Sequence, residues 1–146
     1  MPSVNLPISP RGPVIDVRIG VSKPRQEALT QAGLPVPPSL DCRLLIDTGA
    51  SSTCIDAGII QQLQLSPSGI VSIHTPSTGA GQTHACNQYD VSLVIPHPAI
   101  SRIFSAIPVI ESQLAHQGID GLFGRDILDQ CVLIYSGELK IFILSF

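Results

Sequence analysis

The sequence is poor in aromatic and charged residues. Aromatic side chains make up 4% of its 146 residues and tryptophan is absent, so stacking surfaces for bases or sugars are not expected. Charged residues make up 13% of the chain, about half of the usual share of about 25%. The eight lysines and arginines are scattered over a chain of net charge −3. This pattern excludes a basic face for nucleic acid and an electrostatic membrane anchor.

Long apolar runs and paired cysteines are also missing. No apolar run approaches the roughly 18 residues that cross a membrane, and residues 1–13 lack the charged start and apolar stretch of a secretory signal. We therefore expect a soluble, cytoplasmic protein. The four cysteines are far apart, with no C-x-x-C pair, which favours buried thiols. The histidines and cysteines match no zinc spacing, so we expect neither a metal nor another cofactor.

Apolar residues and turn formers are plentiful. Hydrophobic residues reach 44% and prolines number 13, which is typical of a turn-rich folded domain with one core. Residues 1–13 are expected to form an extended arm, and residues 14–146 a single domain. Alternation of apolar and polar residues and short apolar runs predict strands, most clearly over residues 85–95. The other predicted strands are residues 14–20, 43–46, 70–73, 103–110, 131–135 and 139–144. Two or three short helices are expected, from the candidates at residues 23–33, 57–63 and 125–130. The predicted fold class is therefore mainly β, in either a closed barrel or a sandwich of two sheets.

Asp47 is the first candidate for chemistry. It follows a short apolar strand predicted at residues 43–46 and precedes Thr48 and Gly49, so its carboxylate belongs to a turn at the end of a buried strand. Asp-Thr-Gly alone is weak evidence for a catalytic site. An aspartate in such a turn can serve only to hydrogen-bond its own backbone, as in an Asx-type turn. Neither a G-x-S-x-G motif nor a glycine-rich phosphate loop is present, which argues against serine hydrolases and nucleotide binding.

The surroundings of this aspartate resemble the active-site region of the retropepsin-like aspartic proteases, the single-domain relatives of the retroviral proteases. Residues 44–51 (LLIDTGAS) are similar to the family's active-site loop. Residues 121–128 (GLFGRDIL) are similar to its second signature, in which two apolar residues and a glycine precede a short helix. The resemblance runs in order from about residue 14 to residue 146. Ser51 and Ser52 stand where retroviral members usually carry a carboxylate, so an ion pair with the helix arginine does not carry over.

The resemblance implies a fold, a partner and a reaction. The fold would be a retropepsin-like closed β-barrel with one or two short helices, and the reaction would be hydrolysis of peptide bonds in extended peptide or protein substrates. Such hydrolysis needs two carboxylates that share one proton, whereas this chain holds one Asp-Thr-Gly. The second Asp47 is therefore expected from another copy of the chain, in a symmetric homodimer. Cleavage is expected to be best under mildly acidic conditions.

The resemblance also implies roles for individual residues. Asp47 would be catalytic, Thr48 would hydrogen-bond across the two-fold axis, and Arg125 would brace the dimer. The residues implied to support the active site are Thr48, Gly49, Gly124 and Arg125. The residues implied to contact substrate are Gly49, Ala50, Ser51 and the flap tip at Gly79, Ala80 and Gly81. Residues 77–79 are an alternative position for that tip.

An alternative function of a different class is a catalytically silent dimeric module that binds peptides or proteins with the same fold. The intact Asp-Thr-Gly favours the enzyme, because modules that keep a fold without turnover tend to lose the catalytic aspartate first.

Overall fold

A computed structural model describes residues 1–75 and 79–146, and strands dominate them. The strands are β1 (Ser3–Pro7), β2 (Val14–Val21), β3 (Leu40–Ile46), β4 (Cys54–Asp56), β5 (Gly69–Ile73), β6 (His84–Ile95), β7 (Arg102–Ser112), β8 (Gly121–Phe123), β9 (Val132–Ser136) and β10 (Ile141–Ser145). The helices are α1 (Lys23–Gln31), α2 (Ala57–Gln62) and α3 (Arg125–Leu128), with a 3-10 turn at Ala115–Gln117.

Six strands close a barrel. β2, β3, β8, β4, β7 and β6 pair in that order, and β6 pairs back to β2. The alternation predicted in β6 is confirmed, because Tyr89, Val91, Leu93 and Ile95 are all buried while Asp90 is exposed. The predicted closed, mainly β architecture is therefore confirmed. The described residues contain three short helices, which the residue patterns allowed and which exceed the one or two that the resemblance implied.

The pairing of β3 with β8 places the two sequence signatures side by side. These strands run parallel, with Leu44 opposite Gly121 and Ile46 opposite Phe123. Parallel strands end at the same edge of a sheet, so the turn after β3 and the turn after β8 emerge together. The backbone amide of Asp47 then donates to the carbonyl of Phe123, at 3.1 Å.

The strand β6 is long enough to extend beyond the barrel. β7 pairs with it at residues 88–91 and 93–95, whereas β5 pairs only with its first part, from His84 to Gln88. β2 pairs with the later part of β6, from Val91 to Val94. The β5–β6 hairpin therefore projects from one end of the barrel.

A second sheet is built from the two ends of the chain. Its strand order is β1-β10-β9, and both pairings are antiparallel. β1 lies in the segment expected to be an extended arm, and its Val4 and Leu6 pack against the core. Phe142 and Leu144 of β10 are fully buried. The apolar C-terminal strand thus finds partners within its own chain.

Candidate active site

The turn after β3 fixes the Asp47 side chain at the surface. The backbone amide of Gly49 donates to Oδ1 of Asp47 at 2.8 Å, and the amide of Ala50 donates to the Asp47 carbonyl at 3.2 Å. Asp47 is half-buried, whereas Thr48 and Gly49 are exposed. The carboxylate is therefore held in one orientation by its own backbone and still accessible from outside.

Thr53 joins this turn to the beginning of α3. Its side chain is fully buried, and its hydroxyl donates to Oδ1 of Asp126 at 2.8 Å. The same hydroxyl accepts from the backbone amide of Gly124 at 3.1 Å, while the Thr53 amide donates to Oδ2 of Asp126 at 3.0 Å. These three bonds tie the end of the Asp47 loop to the second signature.

Gly124 fills a place that has no room for a side chain. A Cβ atom at this position would lie 2.5 Å from the carbonyl carbon of Ser52 and 2.8 Å from the amide nitrogen of Thr53. Its φ of −86° is one that any residue adopts, so space alone requires glycine here. The close approach lets the two loops pack backbone to backbone.

Arg125 supports the Asp47 loop from within the same chain. Its backbone amide donates to the carbonyl of Ala50 at 2.9 Å, and its guanidinium donates to the carbonyl of Thr48 at 3.1 Å. Within residues 1–75 and 79–146, the ion pair present is that of Arg18 with Asp41, so Arg125 binds a carbonyl where retroviral members would offer a carboxylate. Its role across a dimer stays a prediction.

Asp47 borders a cleft that continues beneath the β5–β6 hairpin. A cavity of about 400 Å³ is lined by Asp47 and by the other predicted loop residues Gly49, Ala50 and Ser51. A second cavity, of about 710 Å³, adjoins it under the hairpin. The two cavities share the lining residues Cys54, Ile73, Thr75, Ile110 and Ser112. An extended chain lying along this cleft would pass the Asp47 carboxylate.

The predicted flap tip lies in the turn between β5 and β6. Gly79 and Gly81 both adopt positive φ, +77° and +76°, and these residues and Ala80 are exposed. They line neither of the two cavities, so their contact with substrate stays a prediction. The alternative tip falls largely on residues 76–78, which lie outside the described part of the chain.

Asp56 is a buried carboxylate that was not among the predicted site residues. Its Oδ1 accepts from the backbone amides of Leu114 at 2.6 Å and Ala115 at 2.8 Å, and its Oδ2 accepts from Gly58 at 2.9 Å. Burial raises the pKa of Asp56, but these hydrogen bonds outweigh burial and hold the pKa below its usual value. Asp56 caps the N-terminus of α2 and accepts hydrogen bonds from the start of the 3-10 turn, so its role is structural.

Thr53 and Asp126 were also absent from the predicted site. They are 73 positions apart in the sequence, and no local pattern indicates their pairing. Asp56 did leave a signal, because an aspartate directly before a helix is a common N-cap.

The four cysteines carry free thiols. Cys42 is buried and the other three are half-buried. Burial raises the pKa of Cys42 to about 12 and that of Cys54, on the cleft wall, to about 11. Thiols with such pKa values are poor nucleophiles at neutral pH. Cys54 therefore lines the cleft as an uncharged thiol.

Two features are absent from the part of the chain that the structure describes. No group of three or more histidine, cysteine, aspartate or glutamate side chains could hold a metal ion there. None of the helices in those residues has the length and apolar character needed to cross a membrane.

Comparisons with known proteins agree with the fold. No family model and no curated protein matches the chain. Among solved structures, it is similar to a retropepsin-like aspartic protease from Rickettsia conorii, with a TM-score of 0.59 and 16% identity over 99% of this chain and 90% of that chain. The retroviral protease-like domain of Ddi1 from Leishmania major matches with a TM-score of 0.39 and 12% identity, over 86% and 83%. The chain described here has the retropepsin-like fold.

Proposed function

We propose that this chain is an aspartic endopeptidase that acts as a homodimer on extended peptides or proteins. The observation that carries the proposal is the position of Asp47: its carboxylate is oriented by Gly49 at the border of a cleft, on a loop braced by the second signature. In a retropepsin-like fold, this is where hydrolysis of peptide bonds would take place.

The proposed reaction requires a second carboxylate. The chain holds one Asp-Thr-Gly, and a two-fold axis beside Asp47 would bring the same residue of another copy to it. Two carboxylates a few ångströms apart cannot both ionise, so they share one proton. The ionised carboxylate takes a proton from a water molecule while the water oxygen attacks the peptide carbonyl carbon. The protonated carboxyl group gives its proton to the leaving nitrogen. The C–N bond breaks, and the shared proton is restored.

The cleft would hold substrate as an extended strand. Gly49, Ala50 and Ser51 line it on the Asp47 side, and the β5–β6 hairpin covers its continuation. Side chains of an extended peptide alternate in direction, so every second one would enter the cavity under the hairpin. The turn at Gly79, Ala80 and Gly81 would close over the peptide and exclude water.

The decisive experiment is cleavage of a peptide library at mildly acidic pH by the wild type, by Asp47→Asn and by Asp90→Asn. Asp90 is exposed on β6, so its substitution controls for loss of one surface charge. We expect cleavage by the wild type and by Asp90→Asn, and none by Asp47→Asn. Equal cleavage by the wild type and Asp47→Asn would reject Asp47 as the catalytic residue. Cleavage by neither would reject the enzyme and leave the binding module as the remaining function.

A further inference from the structure

Glu111 lies on the wall of the 710 Å³ cavity under the β5–β6 hairpin, here called the hairpin cavity. Among the described residues, it supplies the only carboxylate of that wall, and no lysine or arginine lines the cavity. The ion pair present in residues 1–75 and 79–146 is that of Arg18 with Asp41. The Glu111 carboxylate therefore faces the hairpin cavity without a cationic partner from the described part of the chain.

This carboxylate lies where two strands separate. β6 and β7 pair from Gln88 and Ile110 onward, whereas Glu111 and Ser112 pair with β4 on the other side of β7. The side-chain amide of Asn87, directly before the start of the pairing, donates to Oε2 of Glu111 at 3.4 Å. Both side chains are half-buried. The contact between them holds the carboxylate at the fork of the two strands, on the cavity wall.

The negative charge of Glu111 acts on its neighbours. Burial raises the pKa of the Cys86 thiol, which lines the same cavity, and the Glu111 carboxylate raises it further. Burial also raises the pKa of Tyr89, and Glu111 again adds to the rise. His84 lines the cavity too, but it is exposed at the start of β6. A wall that disfavours further negative charge in this way favours a cation.

Apolar side chains share the wall with this carboxylate. They are Ile70, Ile73, Ala85 and Ile110. Lysine and arginine side chains combine an apolar stem with a charged head, and they place the stem along apolar surface while the head reaches a polar group. The volume of the cavity is within the usual range of ligand pockets. Its shape and chemistry therefore suit one long basic side chain.

We propose that Glu111 selects substrates that place a lysine or arginine side chain in the hairpin cavity. This inference rests on the proposed function, in which an extended peptide lies along the cleft. The carboxylate would accept charge-assisted hydrogen bonds from the cationic head, which are among the strongest in proteins. A glutamate or aspartate of the peptide would be repelled at the same place.

The position of the cavity also indicates where in the substrate the basic residue lies. Glu111 does not line the cavity that Asp47 borders, so the selected side chain is not one of the two that flank the cleaved bond. A symmetric dimer contains the hairpin cavity twice, once on each side of that bond. The preference for a basic residue is therefore expected on both sides.

The test is capture of a random decapeptide library at neutral pH by Asp47→Asn protein, which is expected to bind peptides without cutting them. The captured peptides are sequenced by mass spectrometry. The same capture is repeated with Glu111→Gln, Glu111→Lys or Glu138→Gln added to Asp47→Asn. Glu138 is the matched control, because it is an exposed glutamate outside both cavities. Its loss changes the net charge equally, and with it the nonspecific attraction of basic peptides.

We expect Asp47→Asn protein to enrich lysine and arginine over glutamate on the order of ten-fold, the effect of a charge-assisted hydrogen bond. The control is expected to keep this enrichment, Glu111→Gln to lose it, and Glu111→Lys to favour glutamate instead. Cleavage of the same library by the wild type then locates the basic residues relative to the cut bond.

Several results would overturn the inference. They are capture without basic enrichment, an enrichment that Glu111→Gln and Glu138→Gln reduce equally, or basic residues selected only beside the cut bond. Circular dichroism shows whether the variants fold; if Glu111→Gln does not, Glu111→Met takes its place and must also lose the enrichment. Capture needs no turnover, so the two proposals fail separately. Basic peptides that are captured through Glu111 but never cut reject the protease alone, and cleavage without a basic preference rejects the role of Glu111 alone.

Discussion

The hydroxyl of Thr53 donates a 2.8 Å hydrogen bond to the carboxylate of Asp126 and accepts one of 3.1 Å from the amide of Gly124. One fully buried side chain thus joins the loop that carries Asp47 to the segment that backs it. The rigidity of a catalytic carboxylate depends on such support, because a small displacement of a reacting group reduces the rate strongly.

Replacement of Thr53 by valine tests this clamp. Thr53→Val keeps the shape but removes the hydroxyl, which leaves the buried amide of Gly124 without its acceptor. An unsatisfied buried polar group costs about 1–3 kcal/mol of the free energy of unfolding, and we expect a loss in this range in urea denaturation. Thr53→Ser is the matched control, since it retains the hydroxyl. A loss in Thr53→Ser with none in Thr53→Val would mean that the methyl group, and not the hydrogen bonds, stabilises the junction.

Gly124→Ala tests the backbone packing behind Asp47. The added Cβ would lie 2.5 Å from the Ser52 carbonyl carbon, so one of the two loops has to move. We expect a loss of stability of about 1–3 kcal/mol, as for other overpacked sites, together with a fall in cleavage rate. Gly137→Ala is the control, because its Cβ would meet its nearest neighbour, Tyr135, at an ordinary 3.8 Å. A Gly124→Ala variant with wild-type stability and rate would show that the loops are not tightly packed.

Mixing wild type with Asp47→Asn, which is expected to be inactive, tests the shared site. With random pairing of equal amounts, half of the wild-type chains form mixed dimers that lack one carboxylate. Activity at a fixed wild-type concentration is then expected to fall to about half. The same amount of an unrelated protein that is not a substrate serves as control. Activity that is unchanged by Asp47→Asn would indicate that one chain holds the whole active site.

Acid stability tests the role of Asp56. Although burial raises the pKa of Asp56, backbone hydrogen bonds from Leu114, Gly58 and Ala115 outweigh burial and lower the pKa on folding. Its contribution to stability is therefore complete above the pKa of the unfolded chain and is lost as the pH falls through the folded pKa. Asp56→Asn is expected to be less stable than wild type at about pH 6, with a smaller difference at about pH 3. Urea midpoints at the two pH values measure this. A difference independent of pH would mean that the carboxylate charge contributes nothing.

Thiol reactivity tests the burial of Cys42. Its pKa of about 12 leaves almost no thiolate at pH 8, and the buried sulfur is also shielded from reagents. We expect Cys42 to be alkylated more slowly than Cys86, which is half-buried, when labelled sites are followed by mass spectrometry. In urea the two rates should converge. Fast labelling of Cys42 in the native protein would show that β3 opens readily.

Local patterns in the sequence determined most of the strands. β2, β5, β6 and β7 were predicted because each alternates over five or more residues, or forms a clear apolar run, and such patterns follow from the pleat itself. The predicted helices were found too, with α3 ending at Leu128 rather than at residue 130. β4 and β8 were missed, because three residues are too few to display a period. β1 was missed too, because it lies in the proline-rich segment of residues 1–13 that was expected to be an extended arm.

The local sequence was sufficient to predict that Asp47 lies in a turn at the end of a buried strand, since an apolar run followed by Asp-Thr-Gly favours this locally. The surroundings of that turn depend instead on contacts between distant parts of the chain. The Thr53–Asp126 bond, the contact of Gly124 with Ser52 and the pairing of β1 with β10 join residues about 70 to 140 positions apart. Such contacts depend on how strands are ordered in space, and that order arises from closing the whole barrel, which no local pattern specifies.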